Sequence, residues 1–147
     1  MERRQQSVTL KDPAAFSTKA SSSRLQSFSF ALSGCAYMLR HQKNTRIMTL
    51  VTCAVLGTGW WLGIDADSWA TLCLAIALVW VTEFVNGAIE AAVDLSTETY
   101  HALARKAKDV AAGAVLLAAV GSAIVGFLIL GPPVLEKIGD SFAMPFG

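Results

Sequence analysis

Apolar side chains run along this chain in long blocks, and polar ones interrupt them at helical intervals. No charge occurs from 47 to 64, from 69 to 82, or from 110 to 130. Each block, with its flanks, approaches the roughly 20 residues that cross about 30 Å of hydrocarbon. The pattern predicts three spanning helices, over 47–64, 69–95 and 107–130. An earlier block is different. Leu25, Phe28, Leu32, Cys35 and Leu39 repeat at three- and four-residue intervals, with Arg24, Gln26, Ser33 and Arg40 around them. One apolar face in polar surroundings predicts an amphipathic helix over 22–42 that lies in the membrane interface. Ser21, Ser22 and Ser23 offer hydroxyls to cap its start.

The second block ends in four polar residues: Glu83, Asn86, Glu90 and Asp94. Their offsets of 3, 4 and 4 residues place all four within a sector of roughly 80° on a helix. Ionisable groups inside a membrane cost about 2.5–3.5 kcal/mol each, so they normally face a bundle interior and serve a function. This stripe is the candidate seat of chemistry.

Connections follow from turn and interface residues. The link over 63–68 is short, so the first two spans form an antiparallel hairpin. Trp60, Trp61 and Trp69 suit the aromatic belt at that end. Residues 96–100 form the next turn, and a helix restarts near His101. Ala114, Ala118, Ser122 and Gly126 make a ridge of small side chains that lets another helix approach. Gly131, Pro132 and Pro133 are expected to end the third span, leaving 132–147 as an external tail. Residues 1–20 mix charges, Ser, Thr and Pro without apolar periodicity and predict a disordered tail. The whole is an all-α membrane protein with one embedded domain over 21–131.

Composition agrees. The 147 residues are 54% hydrophobic, with a mean hydropathy of +0.49, too apolar for a soluble domain of this size. A net charge of +1 says nothing of nucleic acid, but its distribution sets an orientation. Arg24, Arg40, Lys43 and Arg46 precede the first span, and Arg105, Lys106 and Lys108 precede the third. The hairpin turn holds only Asp65 and Asp67. Positive residues stay inside, so the N-terminus and second loop are cytoplasmic and the C-terminus lies outside. The polar start contains no cleavable signal peptide. Cys35, Cys53 and Cys73 lack metal or redox spacing and read as small hydrophobes.

Carboxylates at a water–membrane boundary can hold Mg²⁺, accept a proton from an alcohol, or pair with a base. Tyr100, His101, Arg105, Lys106, Lys108 and Asp109 follow at the same face. Carboxylates with a metal, plus cations for phosphate, are the parts of phosphoryl transfer. An ion pathway would need polar groups along the spans, whose outer halves are uncharged. No Walker-type or glycine-rich kinase loop occurs, so a nucleotide site must be built from helix side chains. Interhelical hydrogen bonding is the bland alternative for the stripe, but Asn or Ser would provide it at lower insertion cost.

The E-x-x-N-x-x-x-E-x-x-x-D run at 83–94, then Tyr100-His101 and Ala107-Lys108-Asp109, resembles the small bacterial diacylglycerol kinase family, which includes undecaprenol kinases. The resemblance covers about 24–130. It implies a homotrimer of three-span subunits in the bacterial inner membrane, each with an interfacial helix. It implies an ATP- and Mg²⁺-dependent lipid kinase that converts diacylglycerol to phosphatidic acid. Glu83 would be the base, supported by Asn86, and Glu90 would hold Mg²⁺ and contact ATP. Phe30, Gln42, Thr99, Tyr100, His101, Lys108 and Asp109 would line the nucleotide. Glu83, Arg46 and Ala112 would meet the lipid. Phe30 stands where the family usually carries Tyr. Gln42 stands where the family has a second metal-binding glutamate, so it could ligate Mg²⁺ through its carbonyl without adding charge. Two alternatives accompany this expectation. One is an undecaprenol kinase, where the 103–115 stretch also looks at home; the other is a non-catalytic membrane assembly subunit.

Overall fold

The computed structural model describes residues 24–96 and 99–143. The expected tail over 1–20 and the serine caps lie outside the described residues. Four α-helices follow one another: α1 (Arg24–His41), α2 (Lys43–Leu62), α3 (Ala66–Ser96) and α4 (Ala102–Ala143). Among the described residues there is no strand. The chain divides into two compact units between Tyr37 and Met38. Most of α1 belongs to the first, and it exposes Leu25, Phe28 and Leu32.

Two helices, Ala66–Ser96 and Ala102–Ser141, are long and apolar enough to cross a membrane. α2 is less apolar, because Lys43, Arg46 and four threonines dilute its 20 residues.

The α2–α3 hairpin is closed from both sides of its turn. Gly63 adopts φ 69 and ψ 40, and its N–H reaches the carbonyls of Gly59 and Trp60. That left-handed geometry suits glycine alone. Asp65 then caps α3. Its Oδ1 accepts from the backbone N–H groups of Asp67 (2.9 Å) and Ser68 (3.0 Å), and its Oδ2 accepts from the Ser68 hydroxyl. Trp69 does more than anchor an interface. A Cβ on Gly59 would lie 3.1 Å from its ring, so glycine lets the indole pack inside the hairpin.

α3 and α4 pair along much of their length, and small residues make that possible. Ala111 and Ala118 are buried, and the Ser122 hydroxyl donates to the Ala75 carbonyl at 2.8 Å. The expected ridge is thus partly realised: Ala118 and Ser122 meet α3, whereas Ala114 stays exposed. α2 is tied on more sparsely, through the Trp80 indole N–H donating to Thr52 Oγ1 at 3.0 Å.

The third span does not end where the sequence suggested. α4 continues through Gly131, Pro132 and Pro133 to Ala143. Proline removes two helical donors, yet helices of membrane proteins tolerate this where other groups compensate. Here Lys137 bonds the last turn of α2, its Nζ 2.8 Å from the Trp61 carbonyl and 4.8 Å from the Trp61 ring centroid. The continuation is therefore held against α2.

Gly63→Ala is expected to cost about 1–2 kcal/mol, the strain of a left-handed side chain. Gly57→Ala, with open space around it, is expected to be neutral or stabilising. Denaturation in an SDS titration compares the two. The two bonds from Ser68, backbone first and hydroxyl second, hold the Asp65 carboxyl below the ordinary aspartate value of 3.8. A lowered folded value means that the contribution is complete above the unfolded value and disappears as pH falls through the lowered one. The stability gap between wild type and Asp65→Ala should therefore stay constant above about pH 5 and shrink in stronger acid.

Candidate active site

The polar stripe of α3 does turn inward. Glu83 retains 3% exposure and Asn86 9%, while Glu90 is half-buried and Asp94 exposed. Exposure therefore rises along the stripe toward the α3–α4 loop. Glu83 Oε2 and Asn86 Oδ1 are both buried without a hydrogen-bond partner. Asn86 Nδ2 donates to Glu90 Oε1 at 3.5 Å, a long bond that joins consecutive turns of the stripe. A buried oxygen left unsatisfied costs about 1–3 kcal/mol. Two such acceptors on one helical face mark a place kept ready to bond something else.

The loop end adds cations. Lys108 Nζ lies 2.5 Å from Asp94 Oδ1, linking α4 to the far end of the stripe. Exposed pairs of this kind are worth about 0–1 kcal/mol, so its importance is placement. Arg105 approaches Asp109 at 4.0 Å within α4. Thr99, Tyr100 and His101 are exposed in the loop, and His101 Nδ1 accepts from the Leu103 N–H that opens α4. Beside the stripe, a cavity of about 500 Å³ between α3 and α4 is lined by Thr82, Asn86, Ile89, Lys106 and Val110. A larger groove of about 560 Å³, with Ile47, Val55, Leu72 and Phe127 in its walls, contains no titratable side chain. Its walls are apolar, and the titratable side chains lie along the stripe.

Other expected residues sit elsewhere. Gln42 is half-buried at the single-residue break between α1 and α2. Arg46 spends its guanidinium on α1: Nε donates to the Leu39 carbonyl at 3.3 Å and Nη2 to that of Arg40. Ala112 is exposed on α4, and Phe30 is exposed on α1 within the first unit. Sequence reasoning passed over Thr45, whose side chain has 0% exposure and whose hydroxyl lacks a partner. It also passed over Met38, buried against Gly87. A glycine within the 83–94 segment was the available signal, since it marks close approach.

Among the described residues, no three His, Cys, Asp or Glu side chains gather to hold an ion. Magnesium needs less: one or two carboxylates suffice when phosphates complete its shell. The half-buried carboxylate of Glu90 is of the type that arrangement needs.

A sequence profile described as prokaryotic diacylglycerol kinase matches residues 29–130. The chain belongs to that family. A Synechocystis protein named diacylglycerol kinase is 45% identical over 113 residues, 76% of this chain and 65% of the relative. Undecaprenol kinase from Bacillus subtilis is 39% identical over 107 residues, 73% of this chain and 87% of the relative. Diacylglycerol kinase of Escherichia coli K12 is 39% identical over 70 residues, 48% of this chain and 57% of the relative. The match thus spans less than two thirds of the two diacylglycerol kinases and most of the undecaprenol kinase. Kinases named for two different lipids stand among the relatives of this family member.

Glu83→Leu removes an unsatisfied buried carboxylate and is expected to raise stability by on the order of 1–3 kcal/mol. An SDS titration beside wild type measures it; a loss of stability would mean that the carboxylate has a partner after all.

Proposed function

We propose that this protein is an integral-membrane lipid kinase that moves the γ-phosphoryl group of ATP onto the hydroxyl of diacylglycerol, giving phosphatidic acid. The observation that carries the reading is the stripe itself: a buried acceptor at Glu83, then Asn86 and Glu90, then a lysine at the loop end. Membership of a kinase family supports it. A non-catalytic subunit would have no use for an unsatisfied carboxylate at that depth.

The spacing along α3 fits a reaction at a boundary. With Trp69 at one interface, a rise of 1.5 Å per residue puts Glu83 about 21 Å along and Glu90 about 32 Å. Hydrocarbon about 30 Å thick then ends between them. The acyl chains remain in lipid while the hydroxyl comes to Glu83 from the apolar side. Glu83 takes the hydroxyl proton, the alkoxide oxygen bonds the γ-phosphorus, and ADP departs. Asn86 orients the base and the hydroxyl. Lys108, shared with Asp94, neutralises charge on the transferring group, and Asp109 with Thr99, Tyr100 and His101 lies toward the nucleotide. Glu90 and the Gln42 carbonyl would hold Mg²⁺, which when bound shields the phosphate oxygens. Arg46 and Ala112 flank the lipid side.

The same reading places α2 as a third span, since its 20 residues rise about 30 Å. α1 lies in the interface of the inner membrane, with the N-terminus and α3–α4 loop in the cytoplasm and the C-terminus outside. Exposed Leu50, Val51 and Leu56 on α2 support burial between subunits of a homotrimer. A second reading, undecaprenol as acceptor, is favoured by the Bacillus subtilis relative, which this chain covers most fully.

Purified protein in mixed micelles with labelled ATP tests the reading. Glu83→Gln should lose about 10²–10⁴-fold in turnover, the worth of a positioned base. Full turnover by that variant removes Glu83 from the role. Diacylglycerol and undecaprenol assayed side by side, across Mg²⁺ titrations of wild type and Gln42→Glu, decide the lipid and the metal ligand. Activity toward neither lipid favours the non-catalytic subunit.

A further inference from the structure

Gly87 falls between Glu83 and Glu90 along α3, at the edge of the polar stripe. At about 100° per residue it lies roughly 40° from Glu83 and 60° from Glu90 around α3. Along the axis it stands about 6 Å beyond Glu83 and 4.5 Å short of Glu90. What occupies that point is the end of a methionine. A Cβ on Gly87 would sit 2.8 Å from Met38 Cε and 3.0 Å from its Sδ, closer than side chains tolerate. Glycine leaves a notch, and the thioether fills it. Met38 retains 7% exposure.

Its placement is fixed from two sides. The Gln42 N–H donates to the Met38 carbonyl at 3.0 Å, just where α1 gives way to α2. Arg46 in the first turn of α2 holds the next two carbonyls, of Leu39 and Arg40. The last turn of α1 is therefore bolted to α2, and its methionine points at the stripe. On one side of that apolar tip lies Glu83, buried with an unpartnered oxygen. On the other lie half-buried Glu90 and exposed Asp94 with Lys108.

We propose that Met38, seated in the Gly87 notch, is a positioning residue: an apolar partition that keeps water at the Glu90–Asp94 end of the stripe away from Glu83. An unbranched thioether suits this task, because it fills irregular space yet swings aside readily. With the partition in place, Glu83 is approached from the apolar side, where an alcohol borne on a lipid arrives and water does not. The inference rests on Glu83 as the base, but its structural core can be tested apart from catalysis.

The full-length protein in detergent micelles is treated with a water-soluble carbodiimide and an amine, and peptide mass spectrometry follows adduct formation at Glu83. Exposed Asp65 serves as the internal standard. Met38→Ala should raise the Glu83 rate several-fold relative to Asp65. Gly87→Ala, which displaces only the methionine tip, should raise it less and secures the test if Met38→Ala folds poorly. Met38→Leu, of similar volume, should stay near wild type. A second readout is ATP hydrolysis without lipid, in which water gives its proton to Glu83, its oxygen bonds the γ-phosphorus, and ADP leaves. Met38→Ala should increase it, whereas a merely structural loss would lower every rate. Unchanged Glu83 labelling in both Met38→Ala and Gly87→Ala, with Asp65 reacting normally, overturns the partition. A wild type that phosphorylates no lipid sinks the kinase reading instead, while the labelling still decides Met38.

Discussion

A carboxylate carried inside an apolar helix needs somewhere to point, and that requirement organises this protein. Glu83 sits in α3 with one oxygen buried and unbonded. The cost of such a group, about 1–3 kcal/mol, has to be offset by packing elsewhere in the molecule. The α3–α4 pairing is the strongest source of it. Ala111, Ala118 and Ser122 present little bulk, so the two backbones approach and hold the stripe facing inward.

The rest of the second unit serves that pairing. Gly63 and Asp65 turn the chain so that α2 returns along α3. Trp69 on Gly59 and Trp80 on Thr52 keep the hairpin closed at two levels. Lys137 extends the grip of α4 beyond the double proline by bonding the end of α2. At the opposite end, Arg46 fastens the last turn of α1 and sets Met38 over Gly87. Rigid elements thus surround a small unsatisfied centre, the arrangement that preorganised chemistry requires. On the proposed reading, the gradient from buried Glu83 to exposed Asp94 is also the path from lipid hydroxyl to nucleotide. One helix then bridges two solvents.

Much of this was legible in one dimension. Uncharged blocks of 14 to 21 residues, with their flanks, point to membrane helices, and both α3 and α4 lie where those blocks fall. The 3-4-4 spacing of Glu83, Asn86, Glu90 and Asp94 fixed their common face, because helical geometry leaves no alternative. Small residues at four-residue intervals announced a close helix partner, and family motifs announced kinase relatives. Local rules failed where they were applied without tertiary context. Gly131-Pro132-Pro133 reads as a stop, yet Lys137 and its bond to Trp61 help carry the helix onward. Trp69 reads as an interface anchor, and its packing into a glycine gap is a contact that local rules do not foretell.

The sequence by itself determined that helices form, which of them are apolar enough to cross, and which side of α3 carries the acids. Those properties depend on residue type and on a fixed helical repeat, both local. Only the tertiary structure decided that one Glu83 oxygen is buried without a partner, that Lys108 reaches Asp94, that Arg46 binds carbonyls of α1, and that a methionine packs on Gly87 at the edge of the stripe. The last three join residues on different helices. Such contacts follow from how cylinders of given side-chain volume fit together, which no periodicity along a single helix encodes.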